Sequence, residues 1–158
     1  MAKLGDISVA QICLNGHIIS TFIDQQPESS QDFCKECGQK TITSCPNCGA
    51  KIQGYPLLAD KRYPPKHCHK CGKPYPWTKK RIEAAQDALR ESDEIPDEDK
   101  KYLEENIYDL MLPTPKTEFV AKKIEERMKK APKPVKRAIR NFLIDFGAEL
   151  IVKWFRPY

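Results

Sequence analysis

Eight residues in the first half of the chain have the types and spacing of metal ligands. Three Cys-x-x-Cys pairs, Cys34/Cys37, Cys45/Cys48 and Cys68/Cys71, are each followed directly by glycine, at Gly38, Gly49 and Gly72. Two thiolates on one tight turn reach a single tetrahedral ion while turn amides donate to the sulfurs, and a glycine after the second cysteine admits the positive φ such a turn needs. A fourth pair comes from Cys13-Leu14-Asn15-Gly16-His17. Its Asn-Gly is a hairpin signal set between the alternating runs Ile7 to Ile12 and His17 to Ser20, which brings a thiolate and an imidazole together at a hairpin tip. Seven cysteines and one histidine fill two tetrahedral shells, so the chemistry expected is the binding of two Zn²⁺ ions.

The spacing leaves three pairings open: sequential, cross-braced and nested. It favours the sequential one, with Cys13, His17, Cys34 and Cys37 in a first site and Cys45, Cys48, Cys68 and Cys71 in a second, because the second set falls within the usual four-cysteine zinc pattern. A cross-brace is the main rival. Iron is a rival metal in the all-cysteine site, since four thiolates at tetrahedral geometry accept either ion. A redox reading of one Cys-x-x-Cys would want a βαβ setting, which three successive knuckles do not offer. His67 and His69 flank Cys68, but the shell is full without them and they read as solvated neighbours or donors to the ligands.

Filled shells argue against catalysis, because catalytic zinc keeps a position open for water. The chain also has no Gly-x-x-x-x-Gly-Lys-Ser/Thr loop, no Gly-x-Ser-x-Gly elbow and no cysteine left over as a nucleophile. The expectation is a protein that is not an enzyme.

The elements that must position these ligands divide the chain in two. All seven cysteines precede residue 72 of 158, and the first half has too few large apolar residues to fold without cross-links. Met1 to Asp6 carries an early acid and no apolar run of signal-peptide length follows, so the expected compartment is the reducing cytoplasm, where paired cysteines read as ligands. A small metal-stabilised β module of tandem zinc ribbons is expected over 7–76 and a region of about four helices over 77–158, α+β overall. Pro74-Tyr75-Pro76-Trp77 makes a stiff exit from the last knuckle, with Tyr75 and Trp77 covering the metal module and Thr78 capping a helix through Ile82, Ala85 and Leu89. Pro96 begins a second helix with acids at its positive end and an apolar face of Tyr102, Leu103, Ile107, Leu110 and Met111. Thr114 and Pro115 start a third, with Phe119, Val120, Ile124 and Met128 on one side.

Ala131-Pro132-Lys133-Pro134 separates this from a last helix with the strongest apolar stripe in the chain. Ile139, Phe142, Leu143, Phe146, Leu150 and Trp154 on that stripe are candidates for self-association or for a protein partner, beside plain core packing. Asp145, Glu149 and Lys153 interrupt it, so it does not span a bilayer, and contact with a membrane surface is the weaker alternative.

The formal charge of +5 falls to about +2 once seven thiolates and two Zn²⁺ are counted, so net charge alone does not call for an anionic partner. Its distribution is uneven. Residues 92–113 hold eight acids and two lysines, and residues 114–158 hold twelve Lys or Arg and five acids. Lys129, Lys130, Lys133, Lys136, Arg137 and Arg140 form a compact cluster that could contact nucleic-acid phosphates, or could be a solvated face.

The segments Cys13 to His17, Phe33-Cys34-Lys35-Glu36-Cys37-Gly38, Thr41 to Cys48 and His67 to Trp77 together resemble a family of uncharacterised bacterial proteins, known as a domain of unknown function with zinc-ribbon character. The resemblance is close over 7–78 and looser in the helical part, through Phe142 to Gly147. It implies a bacterial source and brings no activity. More broadly, the Cys-Leu-Asn-Gly-His turn followed by a Phe-Cys-x-x-Cys-Gly knuckle is similar to the large zinc-ribbon group, which supports sequential pairing while the ribbon fold selects no function. The reading from sequence is a cytoplasmic adaptor or regulatory protein acting through protein-protein interaction. The alternative is a zinc-ribbon protein that binds nucleic acid through the cluster at 129–140.

Overall fold

The computed structural model describes residues 8–54, 63–112 and 114–146, with the backbone alone over 144–146. Its elements are strands β1 (Gln11–Cys13), β2 (Ile18–Ser20) and β3 (Thr41–Ile42), then helices α1 (Pro76–Glu91), α2 (Asp97–Glu105), α3 (Ile107–Met111), α4 (Thr117–Lys130) and α5 (Lys133–Phe146). The chain forms two compact units, residues 1–80 and 81–158, and the division falls inside α1. The architecture is α+β, a small antiparallel sheet with cysteine clusters followed by helices.

In the first unit the sheet order is β2-β1-β3, antiparallel throughout, with Ile12 opposite both Ile18 and Ile42. The hairpin differs from the tight Asn-Gly turn expected: among the described residues positive φ is confined to glycines, so Gly16 at 92° turns the chain while Asn15 stays on the negative side. The link between Cys37 and Cys45 forms β3, which lies along β1. Gln11 is buried on β1, where its amide donates to Ser30 Oγ, Gln31 O and Thr41 Oγ1 and accepts from Gln31 N at 3.1 Å. Satisfying a buried amide on all sides fixes the 27–31 loop against the sheet. Ala10, Ile12, Ile52, Tyr75 and Trp77 pack with Cys45 and Cys68 into a small core, and Tyr75 stacks on Trp77 with ring centroids 4.7 Å apart.

Helix α1 begins at Pro76, whose fixed φ and missing N–H suit a first turn. Thr78 is therefore not the cap expected. It lies within the first turn, and its hydroxyl donates to Lys66 O at 2.8 Å, tying the helix to the chain before the last knuckle. Trp77 Nε1 does the same to Pro65 O at 2.8 Å.

The second unit buries Ile82, Ala85 and Leu89 of α1 with Leu103, Ile107, Leu110, Val120, Ile124, Ile139, Phe142 and Leu143. Its helices depart from the sequence reading in three places. The single second helix is two: Pro96 caps α2, and Asn106 breaks the run with φ −110° and ψ 13° while its side chain donates to Tyr102 O. The third helix begins at Thr117, after a turn in which Thr114 Oγ1 accepts from the Lys116 amide. Phe119 faces solvent at 63% exposure, because Val120, Ala121 and Ile124 take the inward arc and leave it beside Lys123. Ala131 is extended at ψ 151° ahead of Pro132, which ends α4.

Candidate metal centres

The same turn is built three times. Phe33 bridges to Lys40, Ser44 to Lys51 and His67 to Pro74, each pair enclosing one Cys-x-x-Cys-Gly. Within each, the first cysteine's amide donates across the turn, to Gln39 O, Ala50 O and Lys73 O, and the glycine amide donates back to that cysteine's carbonyl. Gly38, Gly49 and Gly72 have φ of 68°, 73° and 71°, the left-handed conformation that glycine adopts without strain. The first cysteine of each pair, Cys34, Cys45 or Cys68, is buried.

These turns and the hairpin tip gather two groups of four. Cys13, His17, Cys34 and Cys37 form one and Cys45, Cys48, Cys68 and Cys71 the other, all ligand atoms of a group within 4.8 Å of one another. Cys13 and Cys37 sulfurs are 3.7 Å apart, Cys45 and Cys71 3.8 Å, and Cys48 and Cys68 3.7 Å, while Cys34 Sγ lies 3.5 Å from His17 Nδ1. A tetrahedral zinc with ordinary bond lengths would set sulfur-sulfur edges at about 3.75 Å and sulfur-nitrogen edges at about 3.5 Å. Disulfide sulfurs would be about 2.05 Å apart, so these thiols are not cross-linked to one another. Both groups can therefore hold a metal ion. The grouping is sequential along the chain.

Electrostatics inside each group favour a cation. The amides of Cys71 and Lys70 hold the Cys68 thiol down at about 6, and the Gln39 amide holds Cys37 at about 7. Cys48 receives the Ala50 amide, yet desolvation and the thiols of Cys68, Cys71 and Cys45 push it up to about 11. Four thiols this close cannot all ionise by themselves, and a divalent ion resolves that conflict.

Sequence reasoning did not find the polar support around the second group. Asn47 Nδ2 points at Cys71 Sγ from 3.5 Å, and Lys73 Nζ donates to Asn47 Oδ1 at 3.0 Å, an arrangement that orients the amide toward the sulfur and favours its thiolate. The signal was present as an asparagine between Cys45 and Cys48, but only the fold brings it to Cys71. His67 and His69 are exposed and belong to neither group.

A family model described as an uncharacterized protein conserved in bacteria (DUF2321) matches residues 6–155. The chain belongs to this bacterial family. The match covers both cysteine groups and nearly all of the helical region. No curated protein and no solved structure matches the chain.

The other candidate residues sit in the second unit. Lys129, Lys130, Lys133, Arg137 and Arg140 are exposed and Lys136 half-buried, around the junction of α4 and α5. Ile139, Phe142 and Leu143, read from sequence as a possible partner face, are instead buried in the chain's own helical core, because α5 turns its apolar stripe onto the other helices. The side chain of Phe146, and Leu150 and Trp154, lie outside the described residues. Among the described residues no helix is long and apolar enough to cross a membrane.

Proposed function

We propose that the chain is a cytoplasmic zinc-binding adaptor or regulatory protein, not an enzyme, in which two structural Zn²⁺ ions stiffen a module that meets a protein partner. The observation that supports this most directly is the completeness of both ligand groups. Four protein ligands at tetrahedral edges leave no position for water or substrate, so each metal acts as a cross-link. The three-sulfur, one-imidazole set of the first group suits zinc, and the four-sulfur set accepts zinc or iron. A reducing compartment keeps such thiols available as ligands.

Phe33 supports the interaction reading. It precedes Cys34 on a knuckle turn and is 63% exposed, an aromatic held out on a rigid support, which is how interface anchors are commonly presented. Photo-crosslinking from position 33 in bacterial cells, on protein carrying two zinc ions per chain by elemental analysis, is expected to give one discrete protein adduct. Absence of any discrete adduct, or a turnover that tracks the chain through purification and is lost on point substitution, overturns the reading.

A further inference from the structure

We infer that the corner where α4 meets α5 is a docking surface for the phosphate backbone of double-stranded nucleic acid, contacted without regard to sequence. The inference stands apart from the metal groups and from the protein-binding reading above. Its basis is an arrangement of charge that works against the chain's own stability.

Lys133, Arg137 and Arg140 recur on α5 at intervals of four and three, on the side away from Ile139 and Leu143, which are buried, with half-buried Lys136 at the border of the two sides. Lys129 and Lys130 at the end of α4 extend the row across the bend. Among the described residues the only ion pair in this group joins Lys129 to Glu125 at 3.1 Å, and Lys130, Lys133, Arg137 and Arg140 have none. The first turn of α5 carries no acid, so lysines stand at the positive end of the helix dipole, where cations are disfavoured. Elsewhere the chain follows the opposite rule: α2 opens with Asp97, Glu98 and Asp99, and Arg127 pairs with Glu98 and Asp99. Among the described residues Lys133, Arg137 and Arg140 carry no ion pair, and with Lys133 and Lys136 in the first turn of α5 the mutual repulsion of this row is relieved by a dense anion.

The surroundings select the anion. Among the described residues the apolar side of α5, with Ile139, Phe142 and Leu143, is committed to the core, so none of these side chains accompanies the cations into a bilayer. Among the described residues the exposed neighbours of these cations on the chain are Pro132, Pro134 and Asn141, with no aromatic anchor for a protein partner and no ring on which an unpaired base could stack. What remains suited is an unbroken phosphate array. The α5 row spans roughly 10 Å, over which a duplex presents about six backbone charges.

The test is fluorescence anisotropy of a labelled mixed-sequence DNA duplex with the full zinc-loaded chain. Four phosphate contacts predict a slope of log affinity against log salt near about −4, and about a hundred-fold loss between 50 and 200 mM salt. The variant Lys133→Glu/Arg137→Glu/Arg140→Glu changes only exposed side chains, and it is expected to weaken binding by about thirty-fold or more and bring the slope near about −1. The same variant should melt no lower than the wild type, because Lys133→Glu places an acid at the positive end of α5, so lost binding with retained stability separates docking from a structural role. If the triple variant loses helical signal, Lys133→Glu and Arg140→Glu singly must each reduce the slope by about one. No duplex binding at low salt, an unchanged slope in the variants, or binding to anionic phosphatidylglycerol vesicles without binding to the duplex overturns the inference.

Discussion

Trp77 closes over Gly16: a Cβ added to that glycine would lie 3.0 Å from Trp77 Cβ and 3.1 Å from its Cγ. The hairpin tip that carries Cys13 and His17 is thereby held under the first turn of α1, which leaves the third knuckle, and Lys80 Nζ adds a 2.9 Å hydrogen bond to Asn15 Oδ1. The surroundings of the two cysteine groups are thus joined by packing as well as by the sheet. Gly16→Ala meets both the indole and a φ of 92°, and is expected to destabilise the module by about 2 kcal/mol. Denaturant titration of the zinc-loaded protein checks this, with faster zinc release to a chelator as the second readout.

Gly54 is a more severe case, since an added Cβ would overlap Thr21 O at 1.8 Å. Backbone must move to admit it, so Gly54→Ala is expected to cost more than about 3 kcal/mol. Gly49→Ala meets no atom within 4 Å and bears only the penalty of its φ, about 1 kcal/mol. Near-equal melting temperatures for the two variants would count against the close approach of Gly54 to Thr21.

Each cysteine group should lose its own metal alone. Cys37→Ser is expected to leave one zinc per chain, held by Cys45, Cys48, Cys68 and Cys71, and Cys48→Ser to leave the other. Elemental analysis of the purified variants decides the matter, because coupled loss of both metals from either substitution contradicts the grouping.

Removing both metals should dismantle the first unit and spare the second, whose core from Ile82 to Leu143 contains no cysteine. Chelation is expected to shift the emission of Trp77, now buried against Tyr75, while much of the far-ultraviolet helical signal persists. Complete loss of helix on chelation would contradict an independently packed second unit.

Arg127 lies over the Tyr102 ring, 4.6 Å from its centroid, and reaches Asp99 at 3.0 Å and Glu98 at 3.2 Å. Asp99 is the more sheltered acid, at 17% side-chain exposure against 85% for Glu98, so solvent weakens the second pair far more. Arg127→Ala is expected to cost about 1–2 kcal/mol, Arg127→Lys to recover only part of that for want of a planar group, and Asp99→Asn to cost more than Glu98→Gln. Thermal melts of the four variants with zinc bound provide the ranking.

The ligand turns were legible in the sequence because their geometry is local. A pair of cysteines two apart followed by glycine nearly determines its own conformation, and the covering role of Tyr75 and Trp77 follows from a small module's need for apolar cover. Elements were less legible where distant residues decide. Asn106 sits amid a continuous apolar pattern, yet its amide bonds back to Tyr102 and the helix ends there. Phe119 lies one position outside the arc that Val120 and Ile124 define, and only packing reveals which arc turns inward. The apolar stripe of α5 was visible, but periodicity gives a face without naming what covers it. The roles of Gln11, Asn47 and Gly54 were not legible because their partners lie nineteen or more residues away, and even an asparagine between two ligands does not name the sulfur it will meet.

Sequential grouping of the ligands also bears on how the protein is made. Cys13, His17, Cys34 and Cys37 are all synthesised before Cys45 exists, and the strands beside them require nothing later than Ile42. A nascent chain can thus capture its first ion and close one loop while the second group is still being translated, and the last turn, Cys68 to Gly72, then completes the other without threading through what has already formed. Metal loading in that order would be vectorial, following the ribosome from one end of the module to the other, and at no stage would four half-finished ligand pairs have to sort themselves between two ions.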